Sequence, residues 1–167
     1  MDRAHEWLQG TAAKWSEKNK TWTFPSGATL SFGYLENEND KYRYQSAEFQ
    51  FIGFDELTQF TETQYLYLFS RLRRLEGSKI PLRMRAASNP GGVGHEWVKQ
   101  RFIVGDKPFV PASLDDNPYI DREEYIKSLM HLDPITREQL LKGDWTARET
   151  GNKFKREWFE IVDSYPA

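Results

Sequence analysis

An α/β fold with parallel strands is the architecture this sequence predicts, and three observations carry the expectation. Two apolar runs, FQFIGF (49–54) and IPLRMRAAS (80–88), have the texture of strands. Each stops at a turn, DELTQF in one case and NPGGVG in the other. Each turn leads into a segment with helical signals, and strand–turn–helix repeated twice favours strands lying in parallel with helices flanking the sheet.

The elements follow in chain order. Residues 2–18 are expected to form a polar helix in which Trp7, Leu8, Ala12 and Trp15 mark an apolar stripe. TWTFPSGATLSFGYL (21–35) reads as a hairpin: Trp22 and Phe24 alternate before the PSG turn, and Leu30, Phe32 and Tyr34 alternate after it. The charged stretch 36–48 is a loop leading to the 49–54 strand. Beyond Asp55 and Glu56, Thr61 and Gln64 have capping-box spacing. Tyr65, Leu68, Phe69, Leu72 and Leu75 would then be the buried face of a helix capped at Gly77. HEWVKQRFI (95–103) opens another helix after the glycine turn. From residue 106 the texture becomes Pro- and Asp-rich, hence extended or turn-like. Two short helices follow. One starts at Asp121, with Glu124 at box spacing, and buries Tyr125, Ile126, Leu129 and Met130. The other starts at Asp133-Pro134 and ends at Gly143. The tail, 151–167, resembles the opening strand of a further domain.

Composition limits the function classes. The 167 residues are 38% hydrophobic and 29% charged, as in an ordinary globular protein with one sizeable core. With no cysteine there is no disulfide, thiolate nucleophile or Cys-based zinc site. A net charge of −2 makes the molecule as a whole no electrostatic sponge for nucleic acid. No apolar run approaches the length of a membrane span, and the N-terminus lacks the apolar core of a signal peptide, so a soluble cytoplasmic protein is expected.

Three segments carry candidate chemistry. Asp55 and Glu56 end an apolar strand, where neighbouring side chains can both reach a crevice. In phosphate-loop NTPases such a run supplies an Asp that coordinates Mg²⁺, and in one branch the following Glu is the general base for the attacking water. The same dipeptide also suits the start of a helix, whose dipole favours anions. RAASNPGGVGH (85–95) places Ser88 and Asn89 at a second strand tip. There an amide can sense a γ-phosphate and glycines permit close approach; the plain alternative is a loop of turn formers. SRLRRLEGSKIPLRMR holds Arg71, Arg73, Arg74, Lys79, Arg83 and Arg85, which suit phosphates of DNA or of a neighbouring subunit's nucleotide, or simply a solvated helix face. His5, His95 and His131 lack metal-ligand spacing and read as structural. Asp115, Asp116 and Asp121 suit a turn and a helix cap, with a self-contained metal nuclease as the competing reading. A GxxxxGK[ST] phosphate loop occurs nowhere in the chain.

Taken in order, ENDKYRYQSAEFQFIGFDELTQF, SNPGGVGHEWVKQRF, DNPYIDREEYIKSLMHLDP through LLKGDW, and FKREWF resemble the large subunit of tailed-bacteriophage terminases, the DNA-packaging motors. The likeness runs from about residue 25 to the C-terminus. It implies a partial P-loop NTPase sheet of the ASCE type with flanking helices, followed by a small helical connector. The C-terminal part of an ATPase domain would span 1–110, the connector 111–147, and the start of an RNase H-like nuclease 148–167. By the same resemblance Asp55 is the Walker B carboxylate on Mg²⁺ and Glu56 the catalytic glutamate. Ser88, Asn89 and Pro90 form the coupling motif. The implied cofactors are Mg²⁺ and ATP. The implied partners are double-stranded DNA, the terminase small subunit, the portal protein and further copies of the chain. The family's phosphate loop and nuclease carboxylates are expected upstream and downstream of these residues. The chain alone is therefore expected to have little or no ATPase activity. The competing reading is a non-catalytic interaction or DNA-binding module derived from a prophage terminase gene.

Overall fold

The computed structural model describes residues 2–74 and 76–147; Leu75 and the tail assigned to a nuclease start, 148–167, lie outside the described residues. Two compact units divide the chain, Met1–Ser46 and Ala47–Ala167.

The first unit opens with helix α1, Asp2–Leu8, followed by an antiparallel sheet of β1 (Lys14–Ser16), β2 (Thr21–Thr23) and β3 (Thr29–Ser31) in the order β1-β2-β3. The helix expected over 2–18 thus reaches less than half its predicted length. Thr11 closes it by donating its backbone N–H and its hydroxyl to the Leu8 carbonyl, at 3.1 and 2.7 Å, and Gly10 takes φ +90°. Trp15 instead becomes a strand residue directly opposite Trp22, the two rings 5.3 Å apart. The His5 ring meets both indoles, at 4.9 and 5.1 Å. Cross-strand aromatic packing outweighs a weak helical stripe here. The predicted hairpin is present as β2–β3, and a 3₁₀ helix, Glu38–Tyr44, forms within the charged loop.

In the second unit β4 (Phe51–Phe54) and β5 (Arg83–Ala86) pair in parallel, with Phe51 opposite Arg83 and Phe54 opposite Ala86. Helix α2, Glu62–Phe69, lies in the crossover. Its start is the predicted capping box: Thr61 Oγ1 accepts from the Gln64 N–H at 3.2 Å, and Gln64 Oε1 accepts from the Thr61 N–H at 3.0 Å. Its end differs from prediction. The helix stops at Phe69, which is exposed, well short of Gly77. Leu72 leaves the helix to form a parallel bridge with Phe49. The Phe49 N–H donates to the Arg71 carbonyl, and the Phe49 carbonyl accepts from the Arg73 N–H, both at 3.0 Å. Backbone groups of the strand thereby gain partners that one more helical turn would not supply.

Helix α3, His95–Val98, continues through a π-helical turn, Lys99–Val104. Phe54, Leu57, Tyr65, Leu68 and Val98 are buried. Tyr65 stands 5.7 Å from Phe54 and 5.1 Å from Trp97, ring to ring. Helix α4, Arg122–Leu129, buries Leu129, but Met130 is 59% exposed, against expectation. Met130 is the C-cap residue, beyond the last turn of the stripe. Helix α5, Pro134–Lys142, starts at Asp133, whose Oδ1 accepts the N–H groups of Ile135 and Thr136, both at 3.0 Å, and it ends at Gly143 in the left-handed conformation. Among the described residues no helix is long and apolar enough to cross a membrane.

Candidate functional site

Both strands of the parallel pair run toward the same edge, so their C-terminal tips stand together. The ladder continues past the strands: Ala87 N–H donates to the Phe54 carbonyl at 3.0 Å, and Leu57 N–H donates to the Ala87 carbonyl at 3.1 Å. Asp55 and Glu56 emerge there, both exposed, beside Ser88 and Asn89. Thus the two segments singled out in the sequence, thirty residues apart, meet at one sheet edge, the usual ligand-binding side of parallel α/β sheets.

Glu56 adopts φ +51°, ψ +55°, a left-handed backbone that costs a non-glycine residue energy and recurs at functional turns. Behind it the chain turns through a 3₁₀ segment, Leu57–Gln59, which fastens the carboxylate tip to the neighbouring turn. Thr58 is only 1% exposed. Its backbone N–H donates to Ser88 Oγ at 3.0 Å, and its hydroxyl donates to the Asn89 carbonyl at 3.0 Å. Ser88 Oγ in turn donates to Thr58 Oγ1 at 3.0 Å and lies 3.1 Å from the Asn89 carbonyl. Gly94 N–H donates to the Thr58 carbonyl at 2.7 Å. A Cβ added at Gly92, where φ is +74°, would stand 2.6 Å from that same carbonyl oxygen. The third glycine of the run, Gly94, would place a Cβ 2.5 Å from the Phe60 carbonyl. Gly92 and Gly94 are therefore required by close backbone approach, not merely by turn formation.

Pro90 is buried and Asn89 exposed. A cleft of about 280 Å³ opens between Glu56, Thr58 and the Asn89–Gly92 turn on one side and Thr136, Gln139 and Leu140 of α5 on the other. Sequence reasoning missed Thr58, His95 and Gln139 as parts of this arrangement. None of the three carried a signal in the sequence. His95 is structural as expected: its Nδ1 accepts the Gly91 N–H at 2.9 Å.

Three of the five arginines lie elsewhere. Arg71, Arg73 and Arg74 follow α2 near Phe49, at the opposite end of β4 from Asp55. Six residues of extended chain put roughly 20 Å between those ends. The Arg71 guanidinium sits 5.1 Å from the Tyr67 ring centroid and donates to Ser70 Oγ, and Arg73 pairs with Glu48 at 3.3 Å. Arg83 and Arg85 occupy the exposed face of β5, where Phe51 of β4 is 57% exposed. Among the described residues no group of three His, Asp or Glu side chains is placed to hold a metal. This counts against a nuclease centre at Asp115, Asp116 and Asp121. Asp115 pairs with Arg122 at 3.0 Å, Asp116 accepts from Ser113 N–H and Oγ, and Asp121 caps α4. Hydrogen bonds from the Ser113 backbone and hydroxyl hold the Asp116 carboxyl below the usual carboxylate range.

A comparison with curated proteins returned no match. The structure is similar to that of a large terminase from the thermophilic bacteriophage D6E, with a TM-score of 0.62 and 18% sequence identity over 84% of this chain; at that identity the likeness speaks for the fold. The chain spans 35% of that protein's length. The family model for the N-terminal part of the T4-like terminase large subunit matches residues 5–161. With nearly its whole length matched, and with its parallel strands ending together at Asp55-Glu56 and Ser88-Asn89, this chain belongs to the terminase large-subunit family.

Proposed function

We propose that this chain forms part of an ATP-driven DNA-packaging motor, contributing its water-activating and phosphate-sensing edge. The observation that supports this most directly is the pairing of the Asp55-Glu56 tip with the Ser88-Asn89 turn through the Thr58 hydroxyl. In this reading Asp55 is the Mg²⁺ ligand and Glu56 the general base. Ser88, Asn89 and Pro90 respond to the γ-phosphate. Mg²⁺ is commonly bound through one or two carboxylates together with nucleotide phosphates, so two exposed acids at a strand tip fit it without a third protein ligand. Bound there, Mg²⁺–ATP would supply the scissile phosphoanhydride and neutralise charge around it; the chain's own part is to orient water and hold the turn.

Arg71, Arg73 and Arg74, remote from the carboxylate tip, and Arg83 and Arg85, on the exposed face of β5, are assigned to DNA or a neighbouring subunit. Residues 1–110 serve the motor, 111–147 the connection to a nuclease domain beginning at 148–167, and the setting is the bacterial cytoplasm. DNA, the small subunit, the portal protein and further copies of the chain are the partners. Two carboxylates repel a nucleotide unless a phosphate cradle and a cation offset them, so the chain alone has little or no ATPase activity.

The test is ATP hydrolysis by this segment joined to a polypeptide that supplies a GxxxxGK[ST] loop. Glu56→Gln should lower kcat by about 10²-fold or more with Mg²⁺–ATP still bound, the scale of general-base loss. Asp55→Asn should weaken binding in calorimetry. An unchanged kcat in Glu56→Gln would overturn the assignment.

A further inference from the structure

The turn that carries Ser88–Pro90 is held from a second side, by residues some fifty positions later. Gly91, at φ +110°, leaves room for Gln139 of α5; a Cβ on Gly91 would stand 3.1 Å from Gln139 Oε1. Gln139 is itself fixed, donating Nε2 to the Ala147 carbonyl at 2.8 Å. The Gly91 N–H donates to His95 Nδ1, and the His95 ring lies against the Trp145 indole, with centroids 5.5 Å apart and planes tilted by 32°. Trp145 is 8% exposed, and Phe109 meets it edge-on at 6.4 Å. The Asn89–Gly92 turn is therefore linked to the 134–147 segment in two ways, through the His95 ring between the Gly91 N–H and Trp145 and through Gln139 beside Gly91.

We infer that Trp145 and Gln139 are positioning residues for the phosphate-sensing turn: Trp145 sets the His95 ring that accepts the Gly91 N–H, and Gln139 braces the Gly91 backbone. The inference rests on the proposed role of Ser88–Pro90, but its geometry does not involve nucleotide. Since Nδ1 of His95 accepts from Gly91, a ring displaced from the indole can no longer hold that amide, and the backbone between Asn89 and Gly92 loses a fixed point. Removing Gln139 leaves open space beside a glycine, whose backbone then has the widest freedom of any residue. The brace thus makes the site depend on residues that lie outside both strands.

Residue-resolved amide exchange on the 167-residue chain tests this without ATP. Trp145→Leu should speed exchange at the Gly91 amide about tenfold, the equivalent of one hydrogen bond lost. The Arg83 and Ala87 amides should keep their rates, and Trp145→Phe should restore the slow Gly91 exchange by replacing the ring. Gln139→Ala should also speed Gly91, again leaving Arg83 and Ala87 unchanged. If Trp145→Leu accelerates every amide alike through general unfolding, Gln139→Ala decides. An unchanged Gly91 rate in Gln139→Ala, or a rise shared equally by Arg83 and Ala87, overturns the inference. Failure of the nucleotide reading shows separately, as a normal kcat in Glu56→Gln.

Discussion

Replacing Thr58 by Val tests the join between the two strand tips. The substitution keeps volume and branching and removes one hydroxyl from a site only 1% exposed. That hydroxyl donates to the Asn89 carbonyl and accepts from Ser88 Oγ, both at 3.0 Å. Each bond is worth about 1 kcal/mol net. Ser88 Oγ, already 3.1 Å from the Asn89 carbonyl, can turn its proton there and recover part of the loss. The expected cost is therefore about 1.5 kcal/mol, above a single bond and below two unsatisfied groups. Thr58→Ser keeps the hydroxyl and loses a buried methyl, costing roughly 1 kcal/mol by a different route. Urea unfolding of Thr58→Val, Ser88→Ala and the double variant isolates the hydroxyl pair, with a coupling energy expected near ~1 kcal/mol. A coupling within about 0.3 kcal/mol of zero, the scatter of independent sites, would refute the claim that these hydroxyls join the tips.

Three other outcomes follow from the same structure. Glu56→Gly should raise unfolding stability by about 0.5–1 kcal/mol, because glycine relieves the left-handed φ of +51°; a loss of stability in denaturant titration would count against strain at that turn. Gly92→Ala should cost about 2 kcal/mol or more, since its Cβ would press to 2.6 Å on the Thr58 carbonyl at φ +74°, and thermal melting would show it. Hydrogen bonding to Thr136, including its backbone N–H, lowers the Asp133 carboxyl from its ordinary value. The stabilisation is thus full above the unfolded-state value and fades as pH falls through the lower folded one. Helix signal followed by circular dichroism should fall in that acid window, and Asp133→Asn should remove this part of the pH dependence.

How much could be read from the sequence depends on the range of the forces involved. Caps at Thr61, Asp121, Asp133 and Gly143 were legible because a cap is a contact within a few residues. The parallel β4–β5 pair was legible too, since its apolar runs and turns punctuate clearly. The ends of α1 and α2 were not. Trp15 and Leu72 answer to Trp22 and Phe49, distant partners that no local periodicity encodes. For the site, the types and order of Asp55, Glu56, Ser88 and Asn89 pointed to one place, and the strand register brings them there. The left-handed Glu56 and the buried Thr58 hydroxyl depend on three-dimensional closure, so nothing in the one-letter string announces them.

Parallel pairing also governs when the site can exist at all. Phe51 must wait for Arg83, about thirty residues later, before the first rung forms. Closing a loop of that length costs on the order of 3 kcal/mol of chain entropy ahead of any reward. Contacts so distant in sequence make assembly slow compared with a local hairpin such as β2–β3. During synthesis the hairpin can therefore form while β4 is still a lone strand, and Glu56 meets its turn only after Gly94 has left the ribosome. A pause before that point would leave the apolar FQFIGF strand unpaired and prone to the wrong neighbour.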